Sequence, residues 1–175
     1  MREILQIGED ILRDKAQKVS ISGISSKETK KIIEEMKEAL VKEDDGVAIA
    51  APQIGYSKRI FVVSEKVFRT KEGESPVSQN LIYINPKITS LSKDKKVMNE
   101  GCLSVRWKYG GVQRSTKARV EAYDENGKVF QRGASGLLAQ IFQHEIDHLD
   151  GVLFVDKAED LKEYKPEDIK NNKNE

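Results

Sequence analysis

The chain has 175 residues, of which 38% are hydrophobic and 34% are charged, and its formal net charge is +1. This composition is typical of one globular domain with a charged surface. A charge so close to zero argues against a protein whose main role is nucleic-acid binding. The single cysteine cannot form an internal disulfide, and no apolar run is long enough to span a membrane. We therefore expect a cytoplasmic protein.

The first predicted elements are a helix and two strands. A short turn at residues 10–12 is followed by a helix over residues 27–42, whose apolar side chains recur at helical spacing on one face. The apolar run at residues 59–63 predicts a buried strand. Residues 81–86 predict another strand, broken or placed at a sheet edge because it ends in a proline. The charged, Gly-, Ser- and Pro-containing residues 64–80 indicate an exposed loop.

The next predicted elements are a hairpin and a second helix. Residues 118–123 and 128–131 flank an Asn-Gly pair, which favours a tight turn because both residues tolerate positive φ. A helix is predicted over residues 136–149, with Ser135 as its N-cap. Gly151 follows the last apolar position and is placed to end this helix.

The last residues combine a short apolar run with a charged segment. Residues 152–155 predict a strand, whereas the charged residues 157–175 predict a tail that is partly helical or frayed. We therefore expect one folded domain over residues 1–156, followed by a charged C-terminal tail over residues 157–175. The elements together predict an α+β fold in which antiparallel strands pack around one central helix.

The two histidines of the chain, His144 and His148, lie on that central helix. Four residues turn a helix by about 400°, so both imidazole rings project from nearly the same side. Two imidazoles at this spacing can bind one metal ion, and Glu145 between them is then a candidate base for water. The alternative is an amphipathic helix that carries two histidines on its surface. That alternative does not explain why a glutamate lies between the two histidines. The central helix is therefore predicted to bind a metal.

The single cysteine, Cys102, is the candidate third ligand. A lone cysteine in an intracellular chain is usually a small buried hydrophobic residue. Here Gly101 allows the backbone to approach another group closely, and the preceding strand-like run has no apolar alternation. Two imidazoles and one thiolate leave a fourth tetrahedral position open, which is typical of a catalytic rather than a structural metal site.

Three segments of this chain resemble the motifs of the peptide deformylase family, in the family's order. They are GVAIAAPQIG at residues 46–55, EGCLS at residues 100–104 and QHEIDH at residues 143–148. The last two segments are specific in combination, because zinc peptidases share the HExxH pattern but not EGCLS. The resemblance covers nearly the whole length, and it implies that residues 1–156 form the catalytic domain.

The resemblance implies a metal site and a reaction. Cys102, His144 and His148 would bind one divalent metal ion, with Fe²⁺ favoured and Zn²⁺ present in some members, and Glu145 would be the catalytic acid and base. The family removes the N-formyl group from the N-terminal formyl-methionine of newly made polypeptides and releases formate. Nascent peptides are thus the implied partners, without a membrane or a specific nucleic acid. Docking on the ribosome near the exit tunnel is left open.

The resemblance also implies groups that bind the substrate. The side-chain amide of Gln53 and the backbone N–H of Leu103 would donate hydrogen bonds to the oxyanion, where one such donor is typically worth about 10²–10³ in rate. An apolar pocket would hold the methionine side chain, and the substrate peptide would pair with the protein backbone as an added strand. The residues assigned to these two roles are Val47, Ala48, Met98, Gly101, Leu137 and Ile141.

Some positions differ from the family's usual pattern. Ala48 stands where a second glycine is common, and a positive φ would be strained there. Residues 105–107 read Val-Arg-Trp where Val-Pro is frequent, and Gln140 replaces an apolar pocket residue. Arg114 matches a family arginine, and we expect it to pair with Glu100 and hold the cysteine loop.

Two other functions use the same helix motif. A zinc endopeptidase would take its third ligand downstream, from Glu159 or Glu167, and would leave Cys102 without a role. A non-catalytic metal-binding or redox-sensing module would need neither Glu145 nor oxyanion donors. Replacement of Cys102 distinguishes the first alternative, and replacement of Glu145 with bound metal measured distinguishes the second.

Overall fold

The computed structural model describes residues 2–68 and 81–164. Within these residues the chain forms two α-helices, eight β-strands and several short 3₁₀ turns. In chain order they are α1 (Lys27–Val41), β1 (Ala48–Ala50), β2 (Ile60–Val63), β3 (Ile82–Leu91), β4 (Lys95–Cys102), β5 (Val105–Ser115), β6 (Lys117–Tyr123), β7 (Val129–Ser135), α2 (Gly136–Leu149) and β8 (Glu159–Glu163).

The strands form two antiparallel sheets. The five-stranded sheet has the order β1-β2-β3-β6-β7, and the three-stranded sheet has the order β4-β5-β8. The predicted fold class, α+β with antiparallel strands, is therefore confirmed. Helix α2 packs against β1, β3, β6 and β7 of the larger sheet and against β5 of the smaller one. It therefore lies where the two sheets meet.

Helix α1 follows the sequence prediction closely. The side chain of Ser26 accepts a hydrogen bond from the backbone N–H of Thr29, which satisfies a free donor of the first turn. The apolar face at Ile32, Ile33 and Met36 is buried against the larger sheet. The helix ends at Val41, one residue before the predicted end, which is within the usual variation of helix boundaries.

Helix α2 has the predicted bounds, but its first turn differs from expectation. Ser135 occupies the N-cap position, yet its side chain makes no capping hydrogen bond. At the other end Gly151 adopts φ 76°, and a Cβ there would overlap the backbone carbonyl of Arg13. The buried Arg59 donates to the carbonyl of Leu149 and to the carboxylate of Asp150. The C-terminal end of the helix is thus tightly held.

An aromatic cluster joins α2 to the larger sheet. The ring centroids of Phe61 and Tyr83 are 4.5 Å apart in a stacked arrangement. Phe142 of α2 meets Tyr83 edge-on at 5.2 Å. All three side chains are fully buried. Such aromatic pairs add about 0.5–1.5 kcal/mol each beyond area burial, so the position of α2 on the sheet is well determined.

Several predicted strands differ from the observed ones. The strand predicted over residues 81–86 continues to Leu91, because a register irregularity between Ile84 and Lys87 accommodates the proline. The hairpin around Gly127, which has φ 78°, is confirmed. The strand predicted at residues 152–155 is wrong, since Phe154–Asp156 forms a 3₁₀ turn. Residues 69–80 of the predicted loop lie outside the described residues.

The start of the predicted tail is a strand. Glu159–Glu163 pairs with β5 as an edge strand, so the expected helical or frayed conformation is wrong for these residues. Backbone pairing overrides their charged composition, because edge strands tolerate exposed charged side chains. The boundary between residues 156 and 157 stays a prediction. None of the helices in the described residues is long and apolar enough to cross a membrane.

Candidate metal centre and substrate cleft

A cleft of about 340 Å³ opens between β1, the β4–β5 hairpin and α2. The predicted catalytic residues Gln53, Leu103 and Glu145 line it, together with Cys102 and His144. These residues come from three separate parts of the sequence. The fold therefore brings the three motifs together around one cavity.

The three predicted metal ligands lie close together, and two of them, Cys102 and His144, line the cleft. The ligand atoms of Cys102, His144 and His148 all lie within 4.8 Å of one another. Cys102 Sγ is 3.1 Å from His148 Nε2, and the two imidazole centroids are 5.0 Å apart. One thiolate and two imidazoles suit a divalent transition-metal ion and leave a fourth position open. The residues present therefore fit such an ion.

The environment of Cys102 favours the thiolate. Burial raises the pKa of the thiol, but the charge of His148 and hydrogen bonds with His144 and His148 outweigh this effect. The pKa of Cys102 therefore lies well below its ordinary value. The backbone N–H of Ser104 also points to Cys102 Sγ at 3.4 Å. Because a thiolate is the form that binds metal, the site is electrostatically prepared for a cation.

A buried network orients His144. Its Nδ1 is 2.9 Å from Glu100 Oε2, which leaves the other ring nitrogen available to an ion. Arg114 donates two hydrogen bonds to Glu100, at 2.7 and 3.0 Å, and a third to Asp147 at 2.6 Å. The expected pairing of Arg114 with Glu100 is thus confirmed. Lys157 extends the network to the surface through Asp147.

The charge of Glu100 follows from these contacts. Burial opposes ionisation, but hydrogen bonds with His144 and Arg114 outweigh it and lower the pKa of Glu100 to about 2. Both Glu100 and Arg114 are almost fully buried. A carboxylate held ionised in this way fixes the orientation of the His144 ring and increases its basicity as a ligand.

Glu145 is buried beside the candidate ligands. Burial raises the pKa of its carboxyl group, and the neighbouring histidines oppose that shift. Its Oε2 has no hydrogen-bond partner among the described residues, and neither does Nδ1 of His148. A buried, unpaired carboxylate oxygen is costly, and such groups are often retained for chemistry.

Gln53 is held by both of its amide atoms. Its Oε1 accepts from the backbone N–H of Ala50 at 2.8 Å. Its Nε2 donates to Ser104 Oγ at 3.0 Å and lies 3.7 Å from Cys102 Sγ. The carbonyl end is therefore fixed, and the donor end points toward the Cys102 side of the cleft.

The residues predicted to contact substrate are mostly brought together. Val47, Ala48, Gly101, Leu137 and Ile141 line the cleft, whereas the lining does not include Met98, which lies on β4 opposite Val112. The role of Met98 in the pocket stays a prediction.

The backbone conformation at Ala48 and the space beside Gly101 explain which residues fit at these two positions. Ala48 lies in a strand and has no positive φ, so the strain that a positive φ would cause at this position does not arise. A Cβ on Gly101 would lie 2.7 Å from the ring of Tyr109, so glycine is required there.

Sequence reasoning missed some contacts around the cleft. Ser104 was not predicted as a partner of Gln53, although it belongs to the EGCLS segment. Gln140 donates to the carbonyl of Asn99 and to Glu100, at 3.0 and 3.4 Å. Sequence analysis placed Gln140 at a pocket position, in place of an apolar residue, but did not predict these two contacts. No local signal indicates that Tyr109 covers Gly101, since strand β5 was not predicted.

Of the two alternative third ligands, only Glu159 lies in the described part of the chain, and it does not belong to the Cys102, His144 and His148 group. Glu159 is exposed on β8, and Glu167 lies outside the described residues. Cys102, by contrast, has its sulfur beside His148 Nε2. The geometry therefore favours the cysteine over the ligand that a zinc endopeptidase would need.

Known proteins share both this sequence and this fold. A family model described as polypeptide deformylase matches residues 1–164. The peptide deformylase of Leptospira biflexa serovar Patoc is 41% identical over 162 residues, which cover 93% of this chain and 90% of that protein. The peptide deformylase of Halothermothrix orenii is 42% identical over 156 residues, which cover 89% of this chain and 92% of that protein.

Solved structures give the same result. The peptide deformylase from Thermotoga maritima has a TM-score of 0.77 at 34% identity, with 91% of this chain and 98% of that chain covered. A peptide deformylase from Synechococcus elongatus in complex with actinonin has a TM-score of 0.78 at 36% identity, with 91% and 81% covered. The chain therefore belongs to the peptide deformylase family, the hydrolases that remove the formyl group from N-terminal formyl-methionine.

Proposed function

We propose that this chain deformylates nascent peptides with Cys102, His144 and His148 as ligands of one divalent metal ion and Glu145 as acid and base. One observation carries the proposal: the three ligand atoms lie within 4.8 Å of one another, and the buried carboxyl of Glu145 adjoins them. Cys102, His144 and Glu145 line a cleft, which supports a catalytic rather than a purely structural role.

The metal supplies Lewis-acid chemistry. When bound, a divalent ion lowers the pKa of water toward about 7 and can polarise a carbonyl oxygen. We propose Fe²⁺ as the native ion, on the family resemblance, with Zn²⁺ as the alternative that the same ligands accept. Elemental analysis of protein purified without oxygen is expected to give iron near one per chain. Zinc alone in fully active protein would contradict this choice.

Glu145 moves the proton in this proposal. Its unpaired Oε2 accepts a proton from the attacking water and later returns it to the leaving amine. A carboxyl group can serve in both directions only if its pKa is not far below the working pH. The raised pKa that burial gives Glu145 supports that requirement.

Two donors stabilise the charge that develops on the formyl oxygen. Gln53 Nε2 and the backbone N–H of Leu103 are the proposed pair. The contact between Gln53 Oε1 and the Ala50 N–H keeps the amide from rotating, so the donor is fixed before the substrate binds. Such preorganised donors stabilise the transition state without a cost of reorganisation during the reaction.

The substrate lies along the cleft. Leu137 and Ile141 are one helical turn apart on α2 and are proposed to contact the methionine side chain. The backbone at Val47 and Gly101 is proposed to pair with the substrate as an added strand. The ring of Tyr109 lies where a side chain at position 101 would project, so only a glycine fits there.

The test is formate release from formyl-Met-Ala-Ser, with acetyl-Met-Ala-Ser as the matched substrate. We expect fast turnover of the formyl peptide and a much slower reaction of the acetyl peptide, since the extra methyl group would meet the backbone near Gly101 and Leu103. Equal rates on the two peptides would contradict the assignment. Bound metal is measured in the same preparation, so a failure to incorporate the ion is distinguished from a wrong substrate.

A further inference from the structure

Besides helix α2, the cleft has two walls, and these belong to different sheets. One wall is the segment before and within β1, with Val47 and Ala48, and the other is the β4–β5 hairpin. Asp45 and Arg106 line the cleft on opposite walls. The guanidinium of Arg106 reaches across and binds the carboxylates of both Glu43 and Asp45, the latter at 3.1 Å. We refer to these three side chains as the rim ion-pair cluster.

Each side of this cluster is fixed independently. Lys66 Nζ donates to the backbone carbonyls of Glu43 and Asp44, at 3.1 and 3.2 Å, and holds the acidic segment against the 3₁₀ turn that follows β2. The backbone N–H of Arg106 donates to Gln6 Oε1 at 3.4 Å. The side chain of Arg106 is therefore a link between two anchored segments.

Partial burial strengthens the ion pairs of this cluster. The side chains of Arg106 and Glu43 are 23% and 29% exposed, whereas Asp45 is 62% exposed. The pair between Arg106 and Glu43 is thus partly shielded from solvent, and the pair with Asp45 is more strongly screened. Without the guanidinium, the two carboxylates would repel each other beside the substrate path.

We infer that Arg106 is a positioning residue that fixes the separation of the two cleft walls, and through it the affinity for peptide substrates. The inference rests on the proposed binding of substrate as a strand between these walls. Asp45 lies three residues before Ala48, a span of at most about 10 Å, which is the length of three extended substrate residues. A tripeptide can therefore contact both walls up to the cluster, whereas formyl-methionine alone cannot.

The first experiment replaces Arg106 with Gln and compares two substrates. For formyl-Met-Ala-Ser we expect KM to rise about twofold to fivefold with kcat nearly unchanged, which is the size expected for a partly exposed ion pair. The kinetics of formyl-methionine should not change. The matched control is Arg13→Gln, which removes a surface ion pair with Asp156 away from the cleft. An unchanged KM for the tripeptide, or an equal loss on both substrates, would overturn the inference.

The second experiment tests the charge pairing itself. Arg106→Glu should raise the tripeptide KM more than Arg106→Gln does, and Glu43→Arg added to Arg106→Glu should recover part of the loss. Added salt should raise the KM of the native chain toward that of Arg106→Gln, because exposed charges are screened. A double variant no better than Arg106→Glu, at equal thermal stability, would overturn the inference.

The result is separable from the deformylase proposal. If the native chain releases formate from neither substrate, the proposed function fails and Arg106 is not at issue. If it processes both substrates and Arg106→Gln matches it on both, the proposed function stands and the role of Arg106 is overturned. The double variant Glu43→Gln/Asp45→Asn removes the negative charges on the other wall of the cluster and should reproduce the effect of Arg106→Gln.

Discussion

The helix wall of the cleft and its outer rim are held by different interactions. Helix α2 is buried by the aromatic cluster around Phe142, and buried Arg59 holds its C-terminal end. The rim at Arg106 and Trp107 is partly exposed, and charged pairs and an unusual backbone conformation determine its shape. If the proposed roles are correct, the catalytic groups lie on the buried part of the cleft, and we expect the rim to affect mainly the affinity for substrate.

The same contrast appears in the electrostatics. Around the metal centre, Glu100 and Arg114 are buried and each has several partners, so the loss of one leaves an unpaired buried charge. At the rim the charged groups retain contact with water, so the loss of one partner costs little. We therefore expect large effects on metal and turnover at the centre and small effects at the rim.

The largest effect is expected for Cys102→Ala. One of the three proposed ligands is removed, and among the described residues the candidate group holds no fourth ligand to replace it, so most of the bound metal and most of the activity should be lost. Elemental analysis and formate release check this outcome. Full metal occupancy in the variant would mean that the third ligand lies elsewhere.

The next effect is expected for Glu145→Gln. The variant keeps the shape of the side chain and all three ligands, so metal should remain near one per chain. Because the amide cannot accept the proton, kcat should fall by about 10²–10⁴, whereas KM should change much less. A metal-loaded variant within a few-fold of the native kcat would show that Glu145 is not the base.

Glu100→Gln should have an intermediate effect. It removes the negative charge that orients His144 and leaves buried Arg114 with Asp147 as its remaining carboxylate partner. Metal affinity is expected to fall about 10–100-fold, measured by competition with a chelator. Lys157→Gln, at the exposed end of the same network, is the control and should change affinity little. Equal effects of the two variants would contradict the role assigned to Glu100.

The smallest effect concerns the backbone of the rim. Trp107 has φ 67°, which lies in the left-handed region of backbone conformation. This region costs a residue with a side chain about 1 kcal/mol, whereas glycine adopts it without that cost. Trp107→Ala and Trp107→Gly lose the same indole contacts, so Gly should be more stable than Ala by about 1 kcal/mol. Denaturant unfolding measures this difference. The opposite order, which is usual in strands, would show that the backbone relaxes after the indole is removed.

Local patterns determined part of the fold and of the site. The bounds of α2 and the hairpin at Gly127 were predicted correctly, because helical spacing and turn residues act over a few neighbouring positions. Strand β5 and the paired strand β8 were not predicted, since their residues carry no clear alternation and their pairing depends on partners far along the chain. Residues 152–155 were wrongly predicted as a strand, because a short apolar run does not by itself distinguish a strand from other conformations.

The sequence by itself determined the chemistry that is available here. The spacing of His144 and His148 places two imidazoles on one helix face, and Glu145 accompanies them whatever the rest of the fold does. Tertiary structure decided which groups meet them. Cys102 reaches His148 across 46 residues, and Arg106 reaches Asp45 across 61, because strand pairing and sheet packing bring the segments together. No local periodicity encodes contacts between residues so far apart in the sequence, so the candidate metal centre and the cleft beside it depend on the folded chain.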